Sequence, residues 1–194
     1  IDEDVLRLNT DKRGRYLGEF QGEDRILVVN KNGTYYTTDY DLSNHYEEGF
    51  SVIEKYEPEK VWSAVFFDAE QQFYYLKRFR FENMVRHTLF IGETEGSYLV
   101  ALSGEKRPRF EVVFGGRYES RPAEVIVADE FIAEKSYKAR GKRVTTYEVK
   151  QITEIEPLDS GEEESEETTS TDIDFEITNP DMLSDEAQMK LDFE

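Results

Sequence analysis

The sequence contains no cysteine and only two histidines, His45 and His87. Without cysteine, a disulfide framework, a thiolate metal site and a cysteine nucleophile are excluded, and two histidines are too few for a multi-histidine zinc site within the chain. No glycine-rich phosphate loop occurs, and no carboxylate, hydroxyl or histidine shows the spacing of a nucleophile with its base. We therefore expect a chain with no catalytic residue, metal or cofactor of its own.

Long apolar runs are also missing. No run approaches the roughly 18 apolar residues that a membrane-spanning helix needs. The chain starts at Ile1 rather than at methionine, and no basic segment followed by an apolar one opens it. We expect a cytoplasmic protein that is part of a longer chain.

Basic residues are scarce overall: 24 Lys and Arg stand against 43 Asp and Glu, a net charge of −19. Taken as an average, this charge argues against nucleic acid as a partner. The acidic excess is concentrated in residues 157–194, which hold 14 acidic residues and one basic residue, Lys190. The run 160–171 has no apolar side chain, so we expect it to be disordered. The sequence thus predicts a folded domain over 1–156 and a flexible acidic tail over 157–194.

Three basic clusters interrupt the body of the chain, at 77–80, 106–109 and 135–143. Residues 135–143 contain five bases and no acid. Basic side chains on one strand face with aromatic residues nearby suit a phosphate backbone. Composition alone favours the simpler interpretation, in which these side chains only solubilise an outward strand face.

The apolar pattern predicts successive β-strands. Residues 25–38 form a hairpin signal, because branched and aromatic residues flank Asn32-Gly33, a dipeptide suited to a type I′ turn. Three further pairs are predicted, at 62–67 with 73–79, 97–102 with 109–114 around Gly104, and 131–135 with 143–149 around Gly141. No long amphipathic helix separates them, which suggests an all-β repeat array such as a propeller. An irregular β-sandwich or barrel is the alternative, and strand content alone does not distinguish the two. Trp62 is predicted to lie in the core.

Segments 24–38, 60–79 and 131–152 each show a short apolar strand, a polar or glycine-containing link and a second strand. This strand–link–strand pattern resembles the repeat of the C-terminal domain of type IIA DNA topoisomerase A subunits, over most of residues 13–156. Within that family, which includes the A subunit of DNA gyrase, the topoisomerase IV-like A subunit is the nearest match. The resemblance implies a β-pinwheel, a propeller-like array of blades with a basic outer rim. By its length the chain should hold about three or four blades in an open or partial array.

The resemblance implies that duplex DNA lies along the rim without sequence preference, so that the domain guides segment capture and topology preference. The implied DNA-contacting residues are Lys77, Arg78, Arg80, Lys106, Arg107, Arg109, Lys135, Lys138, Arg140, Lys142 and Arg143. The family's catalytic tyrosine lies in another domain, so none of the tyrosines here takes that role. The implied partners are DNA, the remainder of the A subunit, which belongs to an ATP-dependent enzyme associated with the nucleoid, and the B subunit, which holds the ATPase. The alternative is a β-propeller-like protein-interaction module that binds no DNA.

The seven-residue gyrase-type box Gln-Arg-Arg-Gly-Gly-Lys-Gly is absent, and the segment 138–143 is a loose relative of it. This departure favours topoisomerase IV-like behaviour over tight gyrase-style wrapping.

The tail ends in Gln188-Met-Lys-Leu-Asp-Phe193, which resembles the bacterial sliding-clamp binding peptide with Gln188, Leu191 and Phe193 as anchors. The alternative for this end is a short amphipathic helix over 180–193. The acidic run is either a solubilising spacer or a competitor for the basic rim.

Overall fold

The structure, a computed structural model, describes residues 1–158. This part is nearly all β, with a single-turn α-helix, Ala128–Phe131, and a 3₁₀ turn, Gly116–Tyr118. No helix within these residues is long and apolar enough to cross a membrane. The predicted all-β fold is confirmed, whereas the expectations for the tail fall, apart from Pro157 and Leu158, outside the described residues.

The strands are short and follow one another along the chain. They are β1 Ile26–Asn30, β2 Thr34–Thr38, β3 Phe50–Lys55, β4 Trp62–Asp68, β5 Phe73–Phe79, β6 Thr88–Leu89, β7 Tyr98–Ser103, β8 Arg109–Phe114, β9 Glu124–Val127, β10 Lys142–Arg143 and β11 Val149–Ile155. They form three antiparallel sheets, with strand orders β3-β1-β2-β6 in sheet I, β10-β5-β4-β7 in sheet II and β11-β8-β9 in sheet III. Three sheets agree with the lower end of the predicted blade number.

Successive sheets exchange strands. After β4 and β5 have formed the centre of sheet II, the chain returns to sheet I to add β6 beside β2. After β8 and β9 have formed part of sheet III, it returns to sheet II to add β10 beside β5. Sheets I and II are therefore each completed by a strand that the chain adds only after it has begun the next sheet. Neighbouring sheets cannot separate without breaking a strand pair.

Two of the predicted strand pairings are wrong, although most of their strands exist. Strands β7 and β8 do not form a hairpin around Gly104, since β7 pairs with β4 in sheet II and β8 pairs with β9 and β11 in sheet III. The segment around Gly141 is not a hairpin either, because β10 pairs with β5 and β11 pairs with β8. Both errors have the same cause: sequence proximity favours local pairing, whereas here long-range strand exchange determines the partner.

The turn between β1 and β2 differs from the predicted type. Val29 pairs with Tyr35, and the amide of Gly33 donates to the carbonyl of Asn30 at 3.0 Å. Only Gly33 has a positive φ, +79°, so the turn is not type I′, which requires two such residues. The hairpin instead has a three-residue loop with glycine at its left-handed position. Asn32 Oδ1 closes the loop by accepting from the amide of Thr34 at 3.0 Å.

The core lies between the sheets. Strand β4 is buried on both faces: Trp62 and Phe66 pack in the cluster shared with sheet I, and Val65 packs in the cluster shared with sheet III. Strand β5 divides in the same way, with Phe79 toward sheet I and Leu76 toward sheet III. Sheet II is thus the middle layer, which explains the almost continuous burial of its central strands. The predicted burial of Trp62 is confirmed.

Candidate nucleic-acid interface

Residues 135–143, which we call the basic loop, run along the edge of β5 that β4 leaves unpaired. The loop begins where the amide of Lys135 donates to the carbonyl of Arg78 at 2.9 Å. It ends at β10, where Lys142 pairs with Leu76 and Arg143 with Tyr75. The strand edge therefore fixes both ends of the loop, and the five bases of the sequence cluster are brought together on one side of sheet II.

Gly141 allows the loop to approach β5 closely. Its φ is +95°, a conformation that side chains with a Cβ rarely adopt. A Cβ at this position would lie 2.5 Å from the carbonyl oxygen of Leu76 and 2.8 Å from Cβ of Lys77. Since the nearest obstacle is backbone, glycine is required here for both conformational and steric reasons.

Lys77 lies inside the protein rather than on its rim. Only 3% of the residue is exposed, and its Nζ donates to the carbonyls of Phe90, Tyr137 and Ala139. Burial lowers the pKa of this lysine from its ordinary value to about 8. Because it is buried, Lys77 cannot contact a DNA phosphate, in contrast to what the resemblance implies.

All five bases of the loop are exposed, and four of them form a group of their own: Lys135, Lys138, Lys142 and Arg143. No carboxylate of residues 1–158 lies within 4.0 Å of their side-chain nitrogens. Three of them rest on aromatic rings, with Lys138 over Tyr137, Lys142 Nζ 4.1 Å from the centre of Phe131, and Arg143 4.0 Å from that of Phe73. These cations are held in place by rings and remain uncompensated, which is the state that a phosphate-binding side chain needs.

The fifth base of the loop and the two arginines of the 77–80 cluster are partly neutralised or covered. Arg140 lies 3.7 Å from Asp68 and 3.4 Å from Glu70. Arg80 pairs with Glu59 at 2.6 Å and with Glu134 at 3.0 Å. Arg78 is half-buried, and its Nε finds no hydrogen-bond partner within the described part of the chain. These three arginines adjoin the exposed cations of the loop but offer less free charge.

The cluster at 106–109 lies elsewhere, at the start of β8 in sheet III. Lys106 is exposed, but Arg107 is held by Asp129 at 3.1 Å and by Glu130 at 2.5 Å. Arg109 donates through Nε to the carbonyl of Glu156 at 2.7 Å. Arg107 therefore contacts the single-turn helix and Arg109 the end of the described region, and the structure does not join the cluster to the basic loop.

Arg117 is a candidate that the sequence did not indicate. It is exposed, stacks on Tyr118 and borders a cavity of about 520 Å³ that Phe73 also lines. Arg143, at the end of the basic loop, stacks on Phe73, so both arginines contact rings that line this cavity. An isolated arginine after a strand carries no clustering signal, so only the fold could identify it.

The inner side of the loop faces a cavity in which acidic and basic side chains are mixed. The cavity, of about 800 Å³, separates Tyr137–Arg140 from residues 87–94. Three carboxylates, those of Asp68, Glu70 and Glu93, and three bases, Lys77, Lys138 and Arg140, line this cavity. The cavity therefore offers a polyanion no excess of positive charge, whereas the exposed edge of the loop carries Lys135, Lys142 and Arg143.

The family model of the topoisomerase C-terminal domain of Bacteroidota matches residues 7–156. Among solved structures, a crystal structure of the C-terminal domain of DNA topoisomerase IV is similar to the chain, at 12% sequence identity and a TM-score of 0.48. The similarity covers 79% of this chain and 54% of the topoisomerase IV chain, so this chain spans about half the length of that domain structure. No curated protein sequence matches the chain.

Proposed function

The chain belongs to the topoisomerase C-terminal domain family of Bacteroidota, and from this premise we propose that its folded region binds duplex DNA through the basic loop. The family makes it an accessory domain of a topoisomerase. We propose further that the whole enzyme is an ATP-dependent type II topoisomerase of the topoisomerase IV kind, in which this domain belongs to the A subunit while a separate B subunit holds the ATPase. The domain itself takes no part in strand cleavage.

The observation that carries the proposal is the charge state of the loop. Lys135, Lys138, Lys142 and Arg143 are exposed and lack an acidic partner within 4.0 Å among residues 1–158. By contrast, Arg80 and Arg107 each contact two carboxylates. Four neighbouring cations without acidic partners repel one another, so their arrangement in an otherwise acidic domain indicates that they bind an anion.

The chemistry of these side chains favours non-specific binding. Lysine and arginine on an exposed edge contact phosphate oxygens, and such contacts position DNA without reading its sequence. Each phosphate that they neutralise releases condensed counterions, which makes affinity strongly dependent on salt. A duplex held at this edge would be presented to the catalytic domains as the segment to be captured, and the preferred DNA topology would follow from its path. Arg78, Arg117, Arg140 and Lys106 are proposed as secondary contacts.

The tail adds two proposals that rest on sequence alone. Its 14 acidic residues make it a competitor for the basic loop, and its end, with Gln188, Leu191 and Phe193, is proposed to bind the sliding clamp. Clamp capture by the 194-residue chain should be lost on combining Gln188→Ala with Phe193→Ala. Retention of binding in this double variant would exclude the peptide as the clamp site.

A second candidate function is a protein-interaction module. The cavity of about 520 Å³ combines Phe67, Tyr74, Tyr118 and Tyr147 with Arg117, and tyrosine and arginine are enriched at protein interfaces. This surface supports a protein partner for the domain whether or not the basic loop binds DNA. The two functions differ in what removal of the loop's charge should do to duplex binding.

The test is charge reversal at the loop, using Lys138→Glu, Arg140→Glu and Arg143→Glu together. The matched control reverses three exposed bases outside the loop, Lys12→Glu, Lys31→Glu and Arg86→Glu, for the same change in net charge. Fluorescence anisotropy with a duplex should show a loss of roughly 100-fold or more in the loop variant and a much smaller loss in the control. Equal losses would point to net charge alone, and no loss would leave the protein-interaction module as the better account.

A further inference from the structure

Lys77 is the one lysine buried in the described part of the chain. Burial removes the hydration of its ammonium group, yet no carboxylate of residues 1–158 lies within 4.0 Å of Nζ. The three N–H donors are instead matched by three backbone carbonyls, those of Phe90, Tyr137 and Ala139. The rings of Phe66, Phe79 and Phe90 surround the same nitrogen at 4.9–5.9 Å. Carbonyl dipoles and ring faces thus replace the counter-ion.

The three carbonyls come from different parts of the fold. Tyr137 and Ala139 belong to the basic loop, whereas Phe90 directly follows β6, the strand that the chain adds to sheet I after leaving sheet II. Lys77 itself lies within β5. One side chain therefore ties the loop both to the sheet along which it runs and to the strand exchange between sheets I and II.

Beside the packing of Tyr137 against Tyr35 in the core, this contact is what holds the middle of the loop. Strand pairing holds only its two ends, at Lys135 and at Lys142 with Arg143. Between them, one internal backbone bond joins the amide of Ala139 to the carbonyl of Ser136. Ala139 lies between Lys138 and Arg140, so the bond from Lys77 to its carbonyl, 3.0 Å long, fixes the backbone from which both charged side chains project.

We infer that Lys77 is a positioning residue for DNA binding, which holds the basic loop in its binding shape without touching DNA. This inference rests on the proposed function. Removing the ammonium leaves three backbone carbonyls without their donor, and the two that belong to the loop would turn toward water instead. The exposed cations would then keep their charges but lose their fixed arrangement, and affinity would fall because ordering them on DNA costs conformational entropy.

The test compares Lys77→Met with Lys31→Met, which removes the same charge from an exposed site in the β1–β2 loop. In the free chain, amide hydrogen exchange at residues 136–141 should become faster by about tenfold or more in Lys77→Met only. Duplex affinity should fall by at least about threefold in Lys77→Met and by less in Lys31→Met. Unchanged exchange together with wild-type affinity would overturn the inference.

A double-mutant cycle shows whether Lys77 acts through the loop. In a background carrying Lys138→Gln, Arg140→Gln and Arg143→Gln, Lys77→Met should weaken duplex binding by less than about twofold further, because the cations that it positions are gone. A loss as large as in the wild-type background would show that Lys77 acts elsewhere. If the triple neutralisation alone leaves binding unchanged, the proposed function fails; if it weakens binding while Lys77→Met does not, only the role of Lys77 fails.

The unmodified chain provides a measurement that does not depend on the folding of a variant. With ¹⁵N-labelled lysine, Lys77 should give an ammonium resonance whose protons exchange slowly enough to be seen at neutral pH. That resonance should remain in place when duplex is added, while amides of the loop shift. A Lys77 ammonium that exchanges as fast as the exposed ones would contradict the inference.

Discussion

At the scale of single residues, the candidate interface depends on two positions that bear no exposed charge. Gly141 lets the backbone of the basic loop lie against β5, and Lys77 supplies donors to the carbonyls of that loop. The cations follow from this arrangement, since Lys142 and Arg143 come directly after the glycine. Both residues can therefore be tested by substitutions that leave every exposed loop cation in place.

Gly141→Ala should destabilise the fold more than Gly18→Ala. The two glycines have similar φ angles, +95° and +102°, but a Cβ at Gly18 would meet nothing within 4 Å. Gly18→Ala reports backbone strain alone, about 1 kcal/mol. Gly141→Ala adds the clash with Leu76 and should cost about 2–4 kcal/mol in urea-induced unfolding. Equal costs would show that the loop can move away from β5 without penalty.

Lys77 should make stability depend on pH in a defined direction. Its pKa is lowered by burial from 10.5 to about 8, so between these values the unfolded chain binds more protons than the folded one. The contribution of Lys77 to the free energy of unfolding should therefore rise as the pH rises above about 8. Relative to Lys77→Met, the wild-type chain should gain about 1–2 kcal/mol between roughly pH 7 and pH 9.5.

The comparison is made as a difference because the chain holds other titratable groups, the tyrosines among them. They are common to both proteins, and their effect cancels. Asp68 and Arg140, which line the same cavity as Lys77, are likewise common to both proteins. A difference between the two proteins that does not change with pH would mean that Lys77 is solvated in the folded state.

At the scale of elements, β5 connects the core to the interface. Its side chains serve both neighbouring clusters, Phe79 in the cluster with sheet I and Leu76 in the cluster with sheet III, and its edge opposite β4 carries the basic loop. A strand that is packed on both faces and paired along both edges cannot shift its register without disturbing all of these contacts. Its rigidity sets the position of the loop.

Truncating a buried side chain on either face of β5 should accordingly lower the stability of the fold. We expect Leu76→Ala to lower the free energy of unfolding by about 2–5 kcal/mol and Phe79→Ala by about 3–5 kcal/mol, because both side chains are fully buried. Tyr98→Ala on the edge strand β7, where the residue is 45% exposed, serves as the control and should cost much less. Denaturant unfolding of the three variants measures this. A small loss for Leu76→Ala would argue against packing between sheets II and III.

The elements that sequence reasoning identified are those whose formation is local. The β1–β2 and β4–β5 hairpins were predicted, since each joins two apolar strands through a short polar link. Strands β3, β6 and β9 were not singled out, no strand forms over 131–135, and the partners of β7, β8, β10 and β11 were mistaken. Strand exchange places these pairs far apart in sequence, where apolar periodicity contains no information about the partner.

At the scale of the whole molecule, the candidate site could be predicted only in part. Charge clustering located the basic loop, because five bases without an acid are visible in the sequence. The ion pairs of Arg80 and Arg107 could not be foreseen, since their carboxylates come from distant segments. The burial of Lys77 could have been predicted from the sequence, because strict alternation along β5 places it on the same face as Tyr75 and Phe79.

The distribution of charge also leads to a prediction for the tail. Residues 159–194 carry the 14 acids and the single base of the tail, whereas Leu158 still donates to the carbonyl of Arg107 at 3.0 Å. We therefore expect a chain ending at Leu158 to remain folded and to bind duplex DNA more tightly and with stronger salt dependence than the full chain. Unchanged affinity would leave only a spacer role for the acidic run.

The central claim, that this domain binds duplex DNA through phosphate contacts of the basic loop, is tested most directly by the salt dependence of binding. The association constant of the 194-residue chain for two duplexes of unrelated sequence should be measured over a series of salt concentrations. We predict equal affinities for the two sequences and a logarithmic slope of about −3 to −4, as expected for the four exposed, uncompensated cations of the loop. A slope near zero, or no detectable binding at low salt, would contradict the account.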